Sequence, residues 1–271
     1  MIDLDGVQKV INQRTVIDIP SFRVGEGEIR ALVGPAGSGK STLLALLLGR
    51  TQPTAGKVRV AGLVPHADSQ ALCSKVGVLF YEDGLYTQRS PLDNLRFHCQ
   101  LRGLAPSRAA EVLQQVGLAD QGRARLSQMP SGLLRRLAFG RTILHQPSDL
   151  VLMDPFARCD EPSIALLTGL LRRLADGAAA ILILADDAAR LAGVCDSVNL
   201  LQQGRIVPAL HLGQEPAAAQ AFKIPVRLEG SVALVNPAEV YYVEAEESRA
   251  ILVTAEGRMA TQFTLGELER R

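Results

Sequence analysis

The segment Gly34-Pro35-Ala36-Gly37-Ser38-Gly39-Lys40-Ser41-Thr42 constrains this chain more than any other. It satisfies G-x-x-x-x-G-K-[ST], and it falls between an apolar run, 30–33, that reads as a strand and a periodic stretch, 41–48, that reads as a helix. The glycines let backbone N–H groups turn inward around one point, and the helix N-terminus adds its positive dipole end. Such a cradle takes phosphate oxygens. Lys40 is then expected to reach the β- and γ-phosphates of a nucleotide, and the Ser41 hydroxyl to ligate Mg2+. A purely structural Gly-rich turn is the weaker reading, because the strand before and helix after are what a phosphate site requires.

The second half of such a site is an acidic residue that ends an apolar strand. Leu150-Val151-Leu152-Met153-Asp154 supplies one, so Asp154 is the expected partner of Ser41 at the metal. Further strands are expected at 76–80, 150–153, 181–185 and 198–201, and helices at 107–115, 132–144, 164–174 and 188–192. Alternation of this kind over residues 1–212 predicts an α/β fold, a parallel sheet covered by helices. Residues 213–222 read as a linker. From 223 to 271 the grammar changes to short runs rich in Val, Ile and Tyr (232–235, 240–245 and 250–254), then a helical piece at 265–271. This β-rich tail is short for an independent core.

Composition narrows the partners. Lys and Arg total 29 against 28 Asp and Glu, a formal charge of +1, and a general nucleic-acid coat or anionic-membrane binder is more basic than that. Aromatic residues are 4% with no Trp, which argues against base-stacking platforms. Cys73, Cys99, Cys159 and Cys195 form no CxxC pair, and His66, His98, His145 and His211 show no metal spacing, so both sets read as packing or surface residues. The opening residues are acidic where a secretory leader is basic, and the longest apolar run, 178–185, is far below the ~20 residues that span a bilayer. A soluble cytoplasmic chain is the expectation.

Several further segments follow in a set order. Pro53-Thr54-Ala55-Gly56-Lys57-Val58-Arg59-Val60-Ala61-Gly62 comes first, then Gly84-Leu85-Tyr86 and Leu92-Asp93-Asn94-Leu95. Arg135-Arg136-Leu137-Ala138 opens a helix that ends near His145-Gln146-Pro147, and Cys195-Asp196-Ser197-Val198 and Gln203-Gly204-Arg205-Ile206 close the set. Over roughly residues 1–210 the chain thereby resembles the ATP-binding subunits of ATP-binding cassette (ABC) transporters. The resemblance implies a P-loop NTPase fold of the ABC type with a helical subdomain at about 90–135, and ATP and Mg2+ as cofactors. It also implies a homodimer, or a heterodimer with another ABC ATP-binding subunit, because two such subunits sandwich two nucleotides. A membrane permease is the further partner it implies, placing the chain at the inner face of the membrane.

Carried over residue by residue, the resemblance also shows departures. The aromatic that stacks on adenine falls near Val10, and the Gln that senses Mg2+ and the membrane partner falls on Tyr81. Leu-Ser-Gly-Gly of the family signature becomes Met129-Pro130-Ser131-Gly132, so Pro130 replaces the serine that meets the partner's γ-phosphate and has neither hydroxyl nor N–H. Ser131 stands one residue displaced. The general-base Glu after Asp154 is absent: either Pro155 replaces it or one residue is deleted, and Asp160, Glu161 and Asp187 are the nearby carboxylates that remain. The His at the γ-phosphate falls on Asp186, whose negative charge would repel that phosphate. An ATP-binding protein with a degenerate catalytic and signature set, a weak or inactive ATPase acting in regulation or as a partner subunit, is therefore the first expectation. A conventional ATPase that energises a membrane transporter is the alternative.

The tail resembles the first half of LytTR-type DNA-binding domains. The matches are Lys223-Ile224-Pro225-Val226, the run 232–235, Pro237-Ala238-Glu239-Val240-Tyr241-Tyr242-Val243-Glu244-Ala245 and Thr264-Leu265-Gly266-Glu267-Leu268-Glu269. That family's base-contacting segments lie largely in the half that would follow, so DNA is expected as a partner only if the domain is completed. An ATP-gated transcriptional regulator is the third reading. Charge weighs against it, since residues 223–271 carry six Lys or Arg and eight Glu.

Overall fold

The computed structural model describes residues 1–191 and 193–207, and five strands between 224 and 261. The chain divides into two compact units, Met1–Leu212 and Gly213–Arg271. The expected linker at 213–222 and helical piece at 265–271 lie outside the described residues.

The first unit opens on a hairpin. Strands β1 (Ile2–Ile11) and β2 (Arg14–Val24) run antiparallel across a turn in which Asn12 and Gln13 both have positive φ, 49° and 62°. Two successive left-handed residues give the turn a twist that matches that of the strands it joins. Next come β3 (Ile29–Val33), the phosphate loop, α1 (Lys40–Leu47) and β4 (Ala55–Val60). Strand β4 pairs with β1, which makes a three-stranded antiparallel sheet in the order β2-β1-β4. Helix α2 (Ser69–Lys75) leads into β5 (Val76–Leu79), after which the chain is helical: α3 (Pro91–Leu101), α4 (Ser107–Gln115) and α5 (Ser131–Ile143). It then returns through β6 (Asp149–Met153), α6 (Glu161–Asp176), β7 (Ala180–Ala185), β8 (Ser197–Gln202) and β9 (Arg205–Val207).

The central sheet has the order β5-β6-β7-β3-β8-β9, parallel throughout except for β9. Helices or strands cover both of its faces, so β6 and β7 are buried along their whole length and read as continuous apolar runs. Alternation assigns their side chains to two cores. Ala31, Leu152 and Ile183 pack with Leu137, Leu167 and Leu171 of α5 and α6 on one face. Leu32, Val151 and Leu182 pack with Leu43 and Leu47 of α1 and with β1 and β2 on the other. Phosphate loop and Asp154 both leave this sheet from the carboxyl ends of β3 and β6, where α/β sheets carry their ligands.

The helix expected at 188–192 does not form over the described residues 188–191. Residues 188–191 make turns, because the Asp187 carboxylate accepts the Ala189 N–H at 2.9 Å and Gly193 follows with φ 75°. Helix α3, which periodicity alone does not reveal, has a clear start: Pro91 is its first residue and Ser90 caps the Asp93 N–H. No described helix is long and apolar enough to cross a membrane.

In the second unit β10 (Ile224–Leu228), β11 (Ser231–Val235), β12 (Val240–Glu246), β13 (Arg249–Thr254) and β14 (Gly257–Thr261) form an antiparallel sheet. Its order is β11-β10-β14-β13-β12. The three Val/Ile/Tyr-rich runs lie in β11, β12 and β13. Strand β10 contains Pro225, and β14 pairs with β10 only at Val226 and Arg227, beyond the residue that lacks an N–H.

Candidate functional site

Helix α1 begins with Lys40 and has no side-chain cap, so its first backbone N–H groups are left for an anion. The loop that feeds it is tight. A Cβ at Gly34 would lie 2.2 Å from the Leu201 carbonyl oxygen, and one at Gly39 (φ 113°) 2.9 Å from the Ile17 side chain. Lys40 is buried, and its ammonium donates to the carbonyls of Gly34 and Pro35 and lies 3.4 Å from the Ser38 hydroxyl. Its charge is met by Asp186, whose Oδ1 is 3.0 Å away.

A cavity of 520 Å3 opens over this loop. Ala36, Gly37, Gly39, Lys40, Ser41 and Thr42 form its floor, Tyr81, Met153, Asp154 and Asp186 one wall, and Arg14, Thr15 and Val16 of β2 another, with Gln203. Asp154 has φ 40°, left-handed, ahead of a proline that disfavours the helical region for it. Its N–H donates to the Leu184 carbonyl at 2.9 Å, and its Oδ1 accepts the Asp186 N–H at 3.1 Å. Burial pushes the Asp154 carboxyl above the usual carboxylate range; the Asp186 charge pushes the same way, while the Asp186 N–H and Lys40 oppose it. The Ser41 hydroxyl and the half-buried Asp154 carboxylate make a hard-oxygen set that fits Mg2+.

Other expected site residues fall around this cavity or away from it. Val10 is outside its lining, 38% exposed, and pairs across the hairpin with Thr15. The wall near it is built instead by Arg14, Thr15 and Val16, which sequence reasoning missed; the signal available was the Asn12-Gln13 turn. Pro130 is exposed just before α5, and the Ser131 hydroxyl donates to the Arg158 carbonyl at 3.0 Å, within its own chain. Gly132 is pressed against the start of α6: a Cβ there would lie 2.9 Å from Asp160 Oδ1. Pro155 is buried. Asp160 caps α6 by accepting the Ser163 N–H at 3.2 Å, and hydrogen bonds from Ser163 hold its carboxyl below the usual range. Asp187 holds the 188–191 turns as described. Neither these two nor Glu161 lines the cavity.

One residue ties the parts together. Arg135 of α5 is fully buried, and its guanidinium donates to the carbonyls of Phe80 (2.8 Å), Tyr81 (3.2 Å), Met153, Asp154 (2.9 Å) and Pro155 (3.4 Å). It also pairs with Asp83 at 2.9 Å. The segment carrying Tyr81 and the end of β6 carrying Asp154 are thus held to α5 by one planar fork.

A second cavity, 790 Å3, adjoins the first through Ser41, Tyr81 and Met153. Its floor is apolar (Leu44, Leu72, Val78 and Phe80), and Arg50, Arg102 and Arg141 stand on its lining beside His98 and His145. Both imidazoles have a buried ring nitrogen without a hydrogen-bond partner, and burial, with arginine charge nearby, lowers both from 6.5 to about 4. The folded state therefore binds fewer protons than the unfolded one across that window. Stability is full above 6.5 and falls as pH drops toward about 4. In urea unfolding, the midpoint is expected to fall between about pH 7 and pH 5, and to fall less in His98→Gln/His145→Gln. An equal fall in the double variant would contradict this.

Comparison with known proteins agrees with this geometry. Residues 17–157 match the ABC transporter family. The linearmycin resistance ATP-binding protein LnrL of Bacillus subtilis is 26% identical over 211 residues, 76% of this chain and 68% of its own length. The Nod factor export ATP-binding protein I of Rhizobium sp. (strain N33) is 31% identical over 208 residues, 75% of this chain and 68% of its own. That of Neorhizobium galegae is 32% identical over 217 residues, 76% of this chain and 60% of its own, so the chain spans about two thirds of these relatives. Among solved structures, a dimeric ATP-binding cassette bound to ADP and Pi superposes with TM-score 0.66 at 22% identity, over 76% of this chain and 96% of that one. The ATP-binding subunit of an ABC transporter gives 0.68 at 21%, over 76% and 88%. With its phosphate loop, Asp154 and parallel sheet in that arrangement, the chain belongs to the ABC transporter family, whose ATP-binding domain it carries.

Proposed function

We propose that the chain binds Mg·ATP, pairs with a second ABC ATP-binding subunit, alike or different, and contributes little hydrolysis of its own. One observation carries this reading: the cradle for phosphate is intact, while the residue after Asp154 is a buried proline and Asp154 and Asp186 are the carboxylates among the cavity's lining residues. General-base catalysis needs a carboxylate within about 3 Å of the attacking water. The cavity offers Asp154, committed to the metal side, and Asp186, paired with Lys40. Relatives named for resistance and export, and dimeric cassettes among the structural neighbours, support the pairing and the transporter context.

Calorimetry with Mg·ATP beside light scattering tests the binding half. Saturable heat and a mass shift to a dimer are expected, and Lys40→Ala is expected to lose both. A wild-type chain that takes up no nucleotide would contradict the proposal.

A second reading, a conventional energy subunit for a permease, is favoured by the 790 Å3 cavity, whose apolar floor and arginines suit a segment of a membrane partner. Co-purification with a multi-span protein that stimulates turnover would favour it. The tail enters either reading as an appended β-sheet unit, since its six basic and eight acidic side chains do not suit DNA.

A further inference from the structure

We propose that Asp186 is a built-in competitor for the phosphate site, one that makes nucleotide binding depend on the divalent metal. The proposal rests on the nucleotide-binding reading above. Lys40 has four oxygen neighbours, the carbonyls of Gly34 and Pro35, the Ser38 hydroxyl and Asp186 Oδ1, and only Asp186 carries charge. A phosphate that reaches the ammonium must take that carboxylate's place. The exchange is feasible because Asp186 lies at the mouth, 62% exposed, while Lys40 is 8% exposed beneath it.

Charge then decides which form of the nucleotide succeeds. The backbone of Asp186 is held by its N–H bond to Asp154 Oδ1 at 3.1 Å, so a carboxylate turned away from Lys40 stays at the cavity mouth. Two carboxylates therefore stand against Lys40 and the exposed Arg14, and the charged groups of the cavity lining sum to zero. Metal-free ATP brings its full negative charge beside both carboxylates and removes the counter-ion of one. Mg2+ carried in with the nucleotide would offset part of its negative charge, so displacing the Asp186 carboxylate from Lys40 would cost less than it does with metal-free ATP.

The test is calorimetry of the full chain with ATP, in excess Mg2+ and in EDTA, for wild type, Asp186→Asn and Asp187→Asn. Wild type is expected to bind at least about tenfold more weakly in EDTA. Asp186→Asn is expected to regain on the order of tenfold in EDTA, with a change under about threefold in Mg2+, and Asp187→Asn to behave as wild type. Metal-free affinity in Asp186→Asn within about twofold of wild type would overturn the proposal alone. So would an equal gain in Asp187→Asn, which would assign the effect to net charge instead of the Lys40 contact. If wild type binds no ATP even with Mg2+, the nucleotide-binding reading falls and takes this proposal with it.

Discussion

Arg135→Met is expected to lower the stability of the first unit by about 3–5 kcal/mol, the cost of breaking a buried, hydrogen-bonded charge pair on one side. The volume change is small, so packing is not the cause. What is lost is the fork that serves the carbonyls of Phe80, Met153 and Asp154 at once, and among the described residues Asp83, 13% exposed, keeps an ion pair with Arg158, which is 52% exposed. Each buried acceptor left without a donor costs about 1–3 kcal/mol, and partial relaxation keeps the sum below simple addition. At roughly 2–4 °C per kcal/mol in a domain this size, the melting midpoint should drop by about 10 °C. Arg135→Lys keeps the charge but cannot reach the same set of acceptors, and an intermediate drop is expected. A loss below about 1 kcal/mol in Arg135→Met would show that the network is dispensable.

Pro155→Glu combined with Asp186→His is expected to raise Mg·ATP turnover by on the order of 10²–10⁴-fold, the usual contribution of a positioned general base. The pair is needed because the two departures act on the same reaction. A carboxylate after Asp154 would supply the base, but the Asp186 carboxylate, which pairs with Lys40 in the nucleotide-free chain, would still stand beside the γ-phosphate and oppose it. Groups that act as a unit are not additive, so each single substitution should give much less than half of the logarithmic gain. Phosphate release by the double variant, with Lys40→Ala added as background, checks this. No gain would mean that a carboxylate after Asp154 is not what limits the chain.

Much of this site was legible in the sequence because its chemistry is local. The phosphate loop is nine consecutive residues between a strand and a helix, and Asp154 directly follows the apolar run Leu150-Val151-Leu152-Met153. Pro130, Pro155 and Asp186 can be set against the motifs of the resembled family for the same reason, since each lies within or near a short motif. What stayed hidden depends on chain segments meeting far from one another in sequence. Arg135 reads as an ordinary helix residue, yet its acceptors are 18 to 55 positions away. The Lys40–Asp186 pair spans 146 positions, from Lys40 to Asp186, and no periodicity announces it. The family resemblance sets Val10 at the nucleotide, while Arg14 and Thr15 reach the cavity wall because β1 and β2 pair as a hairpin across Asn12-Gln13, a pairing that no motif in the sequence marks. The helix at 188–192 fails for a different reason: periodicity suggests it, but the Asp187 side chain, bonded to the Ala189 N–H, sets turns over 188–191 instead.

The most direct test of the central claim is the turnover number of the purified full chain at saturating Mg·ATP, less that of Lys40→Ala, in a preparation shown to bind the nucleotide. Binding with turnover far below about 1 s⁻¹, the lower range typical of enzymes, is predicted. Lys40-dependent turnover at or above about 1 s⁻¹ would contradict it, and would make the chain a working ATPase in spite of Pro155 and Asp186.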